Sequence, residues 1–345
     1  MFDPKYTIST RLLENIKRIA VLTQSLNGKT FSKTVLSSME RSARELSVFS
    51  STSIEGNPLP LTDVKRILKN RPEHIRNTER EVLNYNKALE YLKLVSKGGF
   101  IDIDINLVYK IHKMITEHLL SDYYSGRIRN GAVFVNDVRL RKPIYLPPDN
   151  DEVQGLLQDL FDYIEQNKTK IDPLILAGIF HRQFVIIHPF MDSNGRTARL
   201  ITKSVLARMC LDIFDLFSFE NYYNQNVSNY FKTVGLSGNY YDIKDSIDFT
   251  KWLEYFTDGI IDELSRVQEE LEKLNIFSSL ELLFTEEQKK ILIYLNKNSV
   301  ISDRQYKTLT KRAKSTRSLD FKKLVDFGKI ERMGKGKNTY YKLKT

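Results

Sequence analysis

The segment from His188 to Arg199, with the sequence HPFMDSNGRTAR, brings together side chains that suit phosphate chemistry. The imidazole of His188 titrates near neutral pH and can act as a base. The carboxylate of Asp192 is a hard oxygen ligand of the kind that Mg²⁺ prefers. Arg196 and Arg199 share one helix face because they are three residues apart, and each guanidinium can bind phosphate oxygens through two hydrogen bonds. The segment therefore predicts a site for transfer of a phosphate-containing group.

The elements on either side place this segment at the start of a helix. The strongly apolar run from Leu174 to Ile187 predicts a buried helix, and Pro189 prevents its continuation. A second, amphipathic helix is predicted to begin near Asn194. Its free backbone N–H groups and the positive end of its dipole would bind an anion, which Gly195 would allow to approach closely. Two arginines at a helix start oppose the dipole, so the pattern itself calls for an anion.

This segment resembles the signature of the Fic family, His-x-Phe-x-(Asp/Glu)-Gly-Asn-Gly-Arg-x-x-Arg. The chain departs from it at Ser193, where the family pattern has glycine. A serine there serves through its backbone N–H if its φ is negative, and it adds strain if its φ is positive. The resemblance extends over the helical region from about residue 101 to 240.

The resemblance implies transfer of AMP from ATP to a Ser, Thr or Tyr hydroxyl of a target protein, with release of pyrophosphate. His188 would be the general base, and Asp192 would hold Mg²⁺. Ile144 and Tyr145 would lie in a β-hairpin flap that binds the target by strand addition. The adenine and ribose would meet Tyr222, Tyr223 and Asn229, although paired tyrosines in a helix also commonly pack a core. The full set of expected ATP contacts is Asp192, Ser193, Asn194, Gly195, Arg196, Thr197, Arg199, Ile144, Tyr145, Tyr222, Tyr223 and Asn229.

A second segment, from Ser51 to Gly56, resembles the family's inhibitory pattern (Ser/Thr)-x-x-x-Glu-(Gly/Asn). Glu55 would end a predicted helix and pair with Arg199, which should otherwise receive the γ-phosphate. An ordinary salt bridge at a helix end is the alternative. Removal of AMP, with the same glutamate orienting water, stays open as a further activity.

Apolar residues recurring every three or four positions predict an all-α protein with a Fic-type helical core. Extended residues between Ser121 and Pro148 interrupt the pattern and predict the flap. We expect an N-terminal helical region over 1–100, a Fic domain with a helical extension over 101–275, and a third domain over 276–345.

The third domain carries a strong positive charge. From Val300 to Thr345 there are 14 Lys or Arg and 4 Asp or Glu, a balance of +10. The net charge of the whole chain is also +10, so this segment accounts for all of it. Three helices followed by two short strands resemble a small winged helix-turn-helix domain. Its recognition helix would place Lys314, Arg317 and Lys322 toward a nucleic acid, although such domains also bind proteins.

The composition fits a folded protein of 345 residues, with 41% hydrophobic and 28% charged residues. The single cysteine, Cys210, cannot form an internal disulfide and is expected in the core. We found no stretch long and apolar enough to span a membrane, so a cytoplasmic protein is expected. Two other functions stay open: a DNA-binding regulator with a catalytically silent, nucleotide-responsive core, and transfer of another phosphate-containing group. Self-modification and a homodimer also stay open.

Overall fold

The computed structural model describes residues 2–96, 103–137, 142–207, 214–281 and 284–344. These residues are mostly helical, as predicted, and they form two compact units, Met1–Glu270 and Leu271–Thr345. The predicted segments 1–100 and 101–275 largely share the first unit. Cys210 and the predicted helix end at Met209 lie outside the described residues.

The helices of the first unit begin and end at residues that the sequence marks clearly. Ser9 and Ser32 cap the first two helices by accepting hydrogen bonds from the backbone N–H groups of Leu12 and Val35. Gly56 ends the second helix with a φ of +92°, which favours glycine. The helices of this unit are α1 Thr10–Asn27, α2 Lys33–Ile54, α3 Leu61–Lys69, α4 Asn77–Ser96, α5 Ile105–Thr116, α6 Val153–Asn167, α7 Pro173–Ile187, α8 Asn194–Ala207, α9 Phe219–Gln225, α10 Val227–Val234, α11 Tyr240–Ile243 and α12 Thr250–Glu281, which runs on into the second unit.

Helix α7 is mostly apolar and is buried on nearly all sides, with His181, Arg182 and Gln183 as its buried polar residues. The indole N–H of Trp252 in α12 donates to the carbonyl of Gly178 at 2.7 Å. A Cβ on Gly178 would lie 2.6 Å from Leu253, so this glycine allows α7 and α12 to pack closely. Helix α8 packs against α7, and α2 packs against α4, α8 and α9. The N-terminal helices are thus part of the structure that surrounds the predicted loop.

The predicted flap is present as strands β1 Val135–Asp137 and β2 Lys142–Leu146, which pair antiparallel. A two-residue strand, β3 Gly238–Asn239, pairs with β2 in parallel and was not predicted. Apolar spacing predicts a single helix over residues 217–235, whereas the structure has α9 and α10, because Asn226 leaves the helical conformation and caps α10.

The second unit contains helices α13 Glu286–Lys297, α14 Asp303–Leu309 and α15 Lys314–Asp326, followed by the antiparallel strands β4 Ile330–Met333 and β5 Tyr340–Leu343. Ile301 pairs with Tyr341 in an isolated bridge. The buried carboxylate of Asp320 accepts hydrogen bonds from the side chains of Gln288, Tyr306 and Arg312. This element order is the one that the sequence predicted.

Candidate active site

The predicted loop joins α7 to α8 and begins and ends with a residue in the left-handed conformation. His188 has a φ of +50° and Ser193 a φ of +62°. Between them, the amide side chain of Asn194 accepts from the N–H of Phe190 and donates to its carbonyl, both at 2.9 Å. The loop is therefore held in one shape before any ligand binds, which is what electrostatic catalysis requires.

His188 is half-buried and in the protonation state that a base needs. Its Nδ1 lies 3.3 Å from the carbonyl oxygen of Val185, a contact that leaves Nε2 to accept a proton. Burial is the main cause that lowers the pKa of His188, and Arg129 also lowers it, whereas Val185, Glu55 and Asp192 raise it; the resulting pKa is about 4. The imidazole is neutral at pH 7.

The start of α8 is occupied by the carboxylate of Glu55. A Cβ placed on Gly195 would lie 2.4 Å from Oε1 of Glu55 and 3.0 Å from Nη1 of Arg199. Glu55 follows the last residue of α2, so this helix carries the carboxylate into the site. The predicted anion site thus holds an anion, and that anion comes from the protein itself.

Arg199 is fully buried and makes most of its hydrogen bonds with the end of α2. It donates from Nη2 to Oε1 of Glu55 at 2.7 Å and to the carbonyl of Ser51 at 2.9 Å, and from Nε to Oγ of Ser51 at 2.8 Å. Its Nη1 donates to the hydroxyl of Tyr230 at 3.4 Å. Burial alone would lower the pKa of Arg199, but Glu55 raises it above its usual range.

Glu55 is ionised in this arrangement. Burial raises its pKa, but Arg199, Arg196 and His188 lower it more, so the pKa of Glu55 lies below its ordinary value. The predicted pairing of Glu55 with Arg199 is present, with the side chain of Glu55 26% exposed and that of Arg199 completely buried.

Asp192 is exposed and lies beside Arg196, which is buried. The Asp192 side chain is 60% exposed, and its Oδ1 lies 3.7 Å from Nη2 of Arg196. Nη1 of Arg196 lies 3.7 Å from Glu81, and its buried Nε has no hydrogen-bond partner among the described residues. One accessible carboxylate suits Mg²⁺, which keeps several waters and binds mainly to substrate phosphates. Within the described residues, no group of three or more His, Cys, Asp or Glu residues is arranged to hold a metal ion.

Three residues predicted to contact ATP also make hydrogen bonds within the protein. Both polar atoms of the Asn194 amide bind the backbone of Phe190, and the buried hydroxyl of Thr197 donates to the carbonyl of Ser193. Ser193 has the positive φ that the sequence analysis identified as straining a serine. Its N–H donates to the Asp192 carboxylate. The side chains of Asn194 and Thr197 and the backbone of Ser193 therefore shape the loop.

Tyr222, Tyr223 and Asn229, the residues predicted to meet the adenine and ribose, have different surroundings in the structure. Tyr223 is fully buried, and its ring stacks with Tyr230 at 4.5 Å and with Tyr255 at 5.8 Å between centroids. Tyr222 packs against Gly259 of α12. Asn229 is exposed near the start of α10. Aromatic packing therefore uses the two tyrosines, as the alternative prediction allowed.

The flap residues differ in their surroundings. Tyr145 is buried and donates its hydroxyl to the carbonyl of Ile186 at 3.0 Å, so it anchors the flap to α7. Ile144, its neighbour in β2, is half-buried.

His112 contacts the loop, although its sequence context predicts only a surface or packing residue. Its Nδ1 accepts from the N–H of Gly126 at 2.9 Å, so its Nε2 carries the proton and donates to the carbonyl of Asp192 at 3.2 Å. Its ring stacks on Phe190 with centroids 3.7 Å apart. Burial lowers the pKa of His112 to about 4, so this neutral tautomer persists. A histidine on the apolar face of α5 was the available signal.

In the second unit, the structure separates the three residues predicted to bind nucleic acid. Lys314 and Lys322 are exposed on α15. Arg317 is buried and forms two hydrogen bonds with the carboxylate of Asp303, at 2.8 and 2.9 Å. Arg317 is therefore a structural residue, and its prediction as a nucleic-acid contact is wrong in this structure.

Comparisons with known proteins show which proteins this chain resembles. Residues 102–206 match the model of the Fic/DOC family. The chain is 32% identical over 181 residues to protein adenylyltransferase fic-1 of Caenorhabditis elegans, which covers 51% of this chain and 34% of that protein. It is 30% identical over 167 residues to protein adenylyltransferase Fic of Nematostella vectensis, covering 47% of this chain and 37% of that protein. The matched segments thus span about a third of these relatives.

Solved structures show the same fold. A Fic family protein from Desulfovibrio desulfuricans G20 superposes with a TM-score of 0.63 at 20% identity, covering 99% of this chain and 98% of that one. Residues 134–508 of Fic-1 from C. elegans give a TM-score of 0.61 at 23% identity, covering 77% of this chain and 74% of that one. Among the described residues, no helix is long and apolar enough to cross a membrane. These matches support the Fic family and its helical fold.

Proposed function

We propose that this chain is an autoinhibited protein adenylyltransferase that moves AMP from ATP to a Ser, Thr or Tyr hydroxyl of a protein. One observation carries the proposal: a carboxylate from α2 lies in the anion site of α8, bonded to Arg199, beside a neutral histidine. A site built to bind phosphate would hold such a carboxylate in the resting state, since both are anions with oxygen acceptors.

In the proposed reaction, Nε2 of His188 takes the proton from the target hydroxyl as its oxygen attacks the α-phosphorus of ATP. The new P–O bond forms while the bond to pyrophosphate breaks, and pyrophosphate leaves. The N–H groups at the start of α8 and the guanidinium of Arg196 stabilise the phosphate charge. Asp192 would hold Mg²⁺, which neutralises phosphate charge when it is bound. The proposal includes binding of the target protein at the flap. It also includes removal of AMP from a modified target as a further activity.

Arg199 connects this chemistry to the inhibition. It would receive the γ-phosphate, but its bond to Glu55 occupies it first. ATP that enters beside Glu55 would lack this contact, and its α-phosphorus would be turned away from the line of attack. Gly56 keeps the carboxylate in place by ending α2 directly after Glu55.

The test uses the Glu55→Gly protein and ATP labelled on the α-phosphate. We expect labelled protein, and we expect His188→Ala in the same background to reduce labelling by about 10²- to 10⁴-fold. His74→Ala is the matched control, because His74 is exposed. Label from ATP carrying the isotope on the γ-phosphate should not be incorporated. Equal labelling with and without His188 would disprove its role as base, and γ-label on protein would indicate transfer of another group.

A second candidate function rests on the basic unit at the end of the chain. Two of its acidic residues, Asp303 and Asp320, form ion pairs with arginines of the same unit. Lys314 and Lys322 are exposed on α15. We propose that this winged helix-turn-helix unit binds duplex DNA. If the Fic-type core is catalytically silent, the chain would then be a DNA-binding regulator that responds to nucleotide. Lys314→Ala with Lys322→Ala should weaken DNA binding and reduce its salt slope by roughly two, whereas Lys297→Ala should not.

A further inference from the structure

Arg129 is a buried cation whose guanidinium binds backbone carbonyls. It is 2% exposed and precedes the flap in the chain. Its Nε donates to the carbonyl of His188 at 2.9 Å, Nη1 donates to Gly131 at 3.0 Å, and Nη2 donates to Pro148. Its backbone N–H donates to the carbonyl of Pro189 at 2.9 Å. Within the described parts of the chain, no carboxylate lies at ion-pair distance from this guanidinium.

The three carbonyls belong to parts of the protein that would do different things. His188 begins the catalytic loop and has a left-handed backbone. Gly131 precedes β1 and Pro148 follows β2, so they mark the two ends of the flap. A guanidinium is planar and its donors have fixed directions, so three bonds from one such group fix the relative positions of their acceptors.

This bonding pattern differs from that of a structural ion pair. A salt bridge would satisfy the charge with one carboxylate, whereas Arg129 divides its donors among three chain segments. Buried backbone carbonyls need partners, and at this junction the arginine supplies them in place of regular secondary structure. Burial lowers the pKa of Arg129, although a guanidinium still remains charged at neutral pH.

We propose that Arg129 is a positioning residue that holds the backbone of His188 and both ends of the flap as one unit. Its function is to bring the target hydroxyl, bound at the flap, within reach of the base. The inference rests on the proposed adenylyltransferase activity. The described hydrogen bonds of Arg129 do not involve the α8 residues that would bind the triphosphate, so its loss should impair transfer and spare ATP binding.

The experiment compares Arg129→Met and Arg129→Lys in the Glu55→Gly background. Met keeps an unbranched apolar stem and removes every donor, whereas Lys keeps the charge but cannot bind three carbonyls at once. Arg127→Met and Arg127→Lys are the matched controls, because Arg127 is exposed two residues away. Each protein is measured for AMP transfer, for ATP affinity by calorimetry, for thermal unfolding, and for hydrogen exchange in peptides from residues 131–137 and 142–148.

We expect Arg129→Met to lower the transfer rate about a hundredfold, as for a misplacement of about 1 Å. The transfer rate of Arg129→Lys should lie between those of Arg129→Met and the parent. In both variants the ATP affinity should stay unchanged, and hydrogen exchange should rise in both flap peptides. Unchanged transfer and exchange in Arg129→Met would overturn the inference. Loss of ATP binding together with transfer would also overturn it, because Arg129 would then support the fold generally. If the parent transfers no AMP, the proposed activity fails, whereas faster flap exchange in Arg129→Met alone still supports the positioning role.

Discussion

Replacing Glu55 by glycine should release the enzyme by freeing Arg199. The substitution removes the carboxylate that lies 2.7 Å from Nη2 of Arg199 and fills the space above Gly195. It leaves both bonds from Arg199 to Ser51 in place. The helix already ends at this point, so the change should leave α2 otherwise intact.

The size of the effect follows from the bond that is lost. A hydrogen bond between charged groups is worth about 1.5–3 kcal/mol. A γ-phosphate that no longer competes with this bond gains the same amount, and each 1.4 kcal/mol is a factor of ten. We therefore expect transfer to rise about 10- to 150-fold in Glu55→Gly. Glu55→Gln, which keeps an acceptor but loses the charge, should give an intermediate rate.

The assay is incorporation of α-labelled AMP at saturating ATP, with Glu45→Gln as a control because Glu45 lies in the same helix and pairs loosely with Lys65 at 3.8 Å. Stability gives a second, opposite signal. Glu55→Gly leaves a buried arginine without its anion, so the free protein should melt at a lower temperature and ATP should restore it. Equal labelling of wild type and Glu55→Gly, with ATP bound by both, would refute the inhibitory role.

Three further predictions concern the catalytic loop. Ser193→Gly should raise the free energy of chemical unfolding by up to about 1 kcal/mol. A serine in the left-handed conformation costs roughly 1–2 kcal/mol, whereas glycine loses only about 0.5–1 kcal/mol more conformational entropy on folding. A lower free energy of unfolding would contradict the idea that Ser193 is strained. His112→Phe keeps a stacked ring but leaves the carbonyl of Asp192 without its donor, so transfer and melting temperature should both fall, unlike in the exposed His74→Phe. The pKa of His188 is about 4 rather than 6.5, so transfer by Glu55→Gly should hold constant down to about pH 5 and fall below it, and the stability from neutral His188 should be lost as pH falls from 6.5 toward 4. A decline in transfer beginning near pH 6.5 would show that burial does not control this histidine.

The sequence predicted most of the elements and the central contact, since both depend on local signals. Ser32 as a cap and Gly56 as a stop defined α2, and the spacing of that helix end placed Glu55 for its pair with Arg199. The helix entrance at Asn194 followed from an apolar run ended by proline.

Long-range packing could not be predicted in the same way. Tyr223 and Arg317 have side chains that suit ligand binding, but the positions of Tyr230, Tyr255 and Asp303 in space decide that they are buried. His112 and Arg129 were missed for the converse reason. Their partners are mostly backbone groups far along the chain, and backbone groups leave no trace in a sequence.

The space above Gly195, which the carboxylate of Glu55 fills, limits which side chains this position can accept. The absence of a Cβ there admits the carboxylate of Glu55, and the same absence would admit a nucleotide's phosphate. A side chain at this position would meet the carboxylate and would take the space that the proposed reaction gives to a phosphate. Under the proposed function, a signal that activates transfer would therefore act on α2, the element that carries the carboxylate to the start of α8.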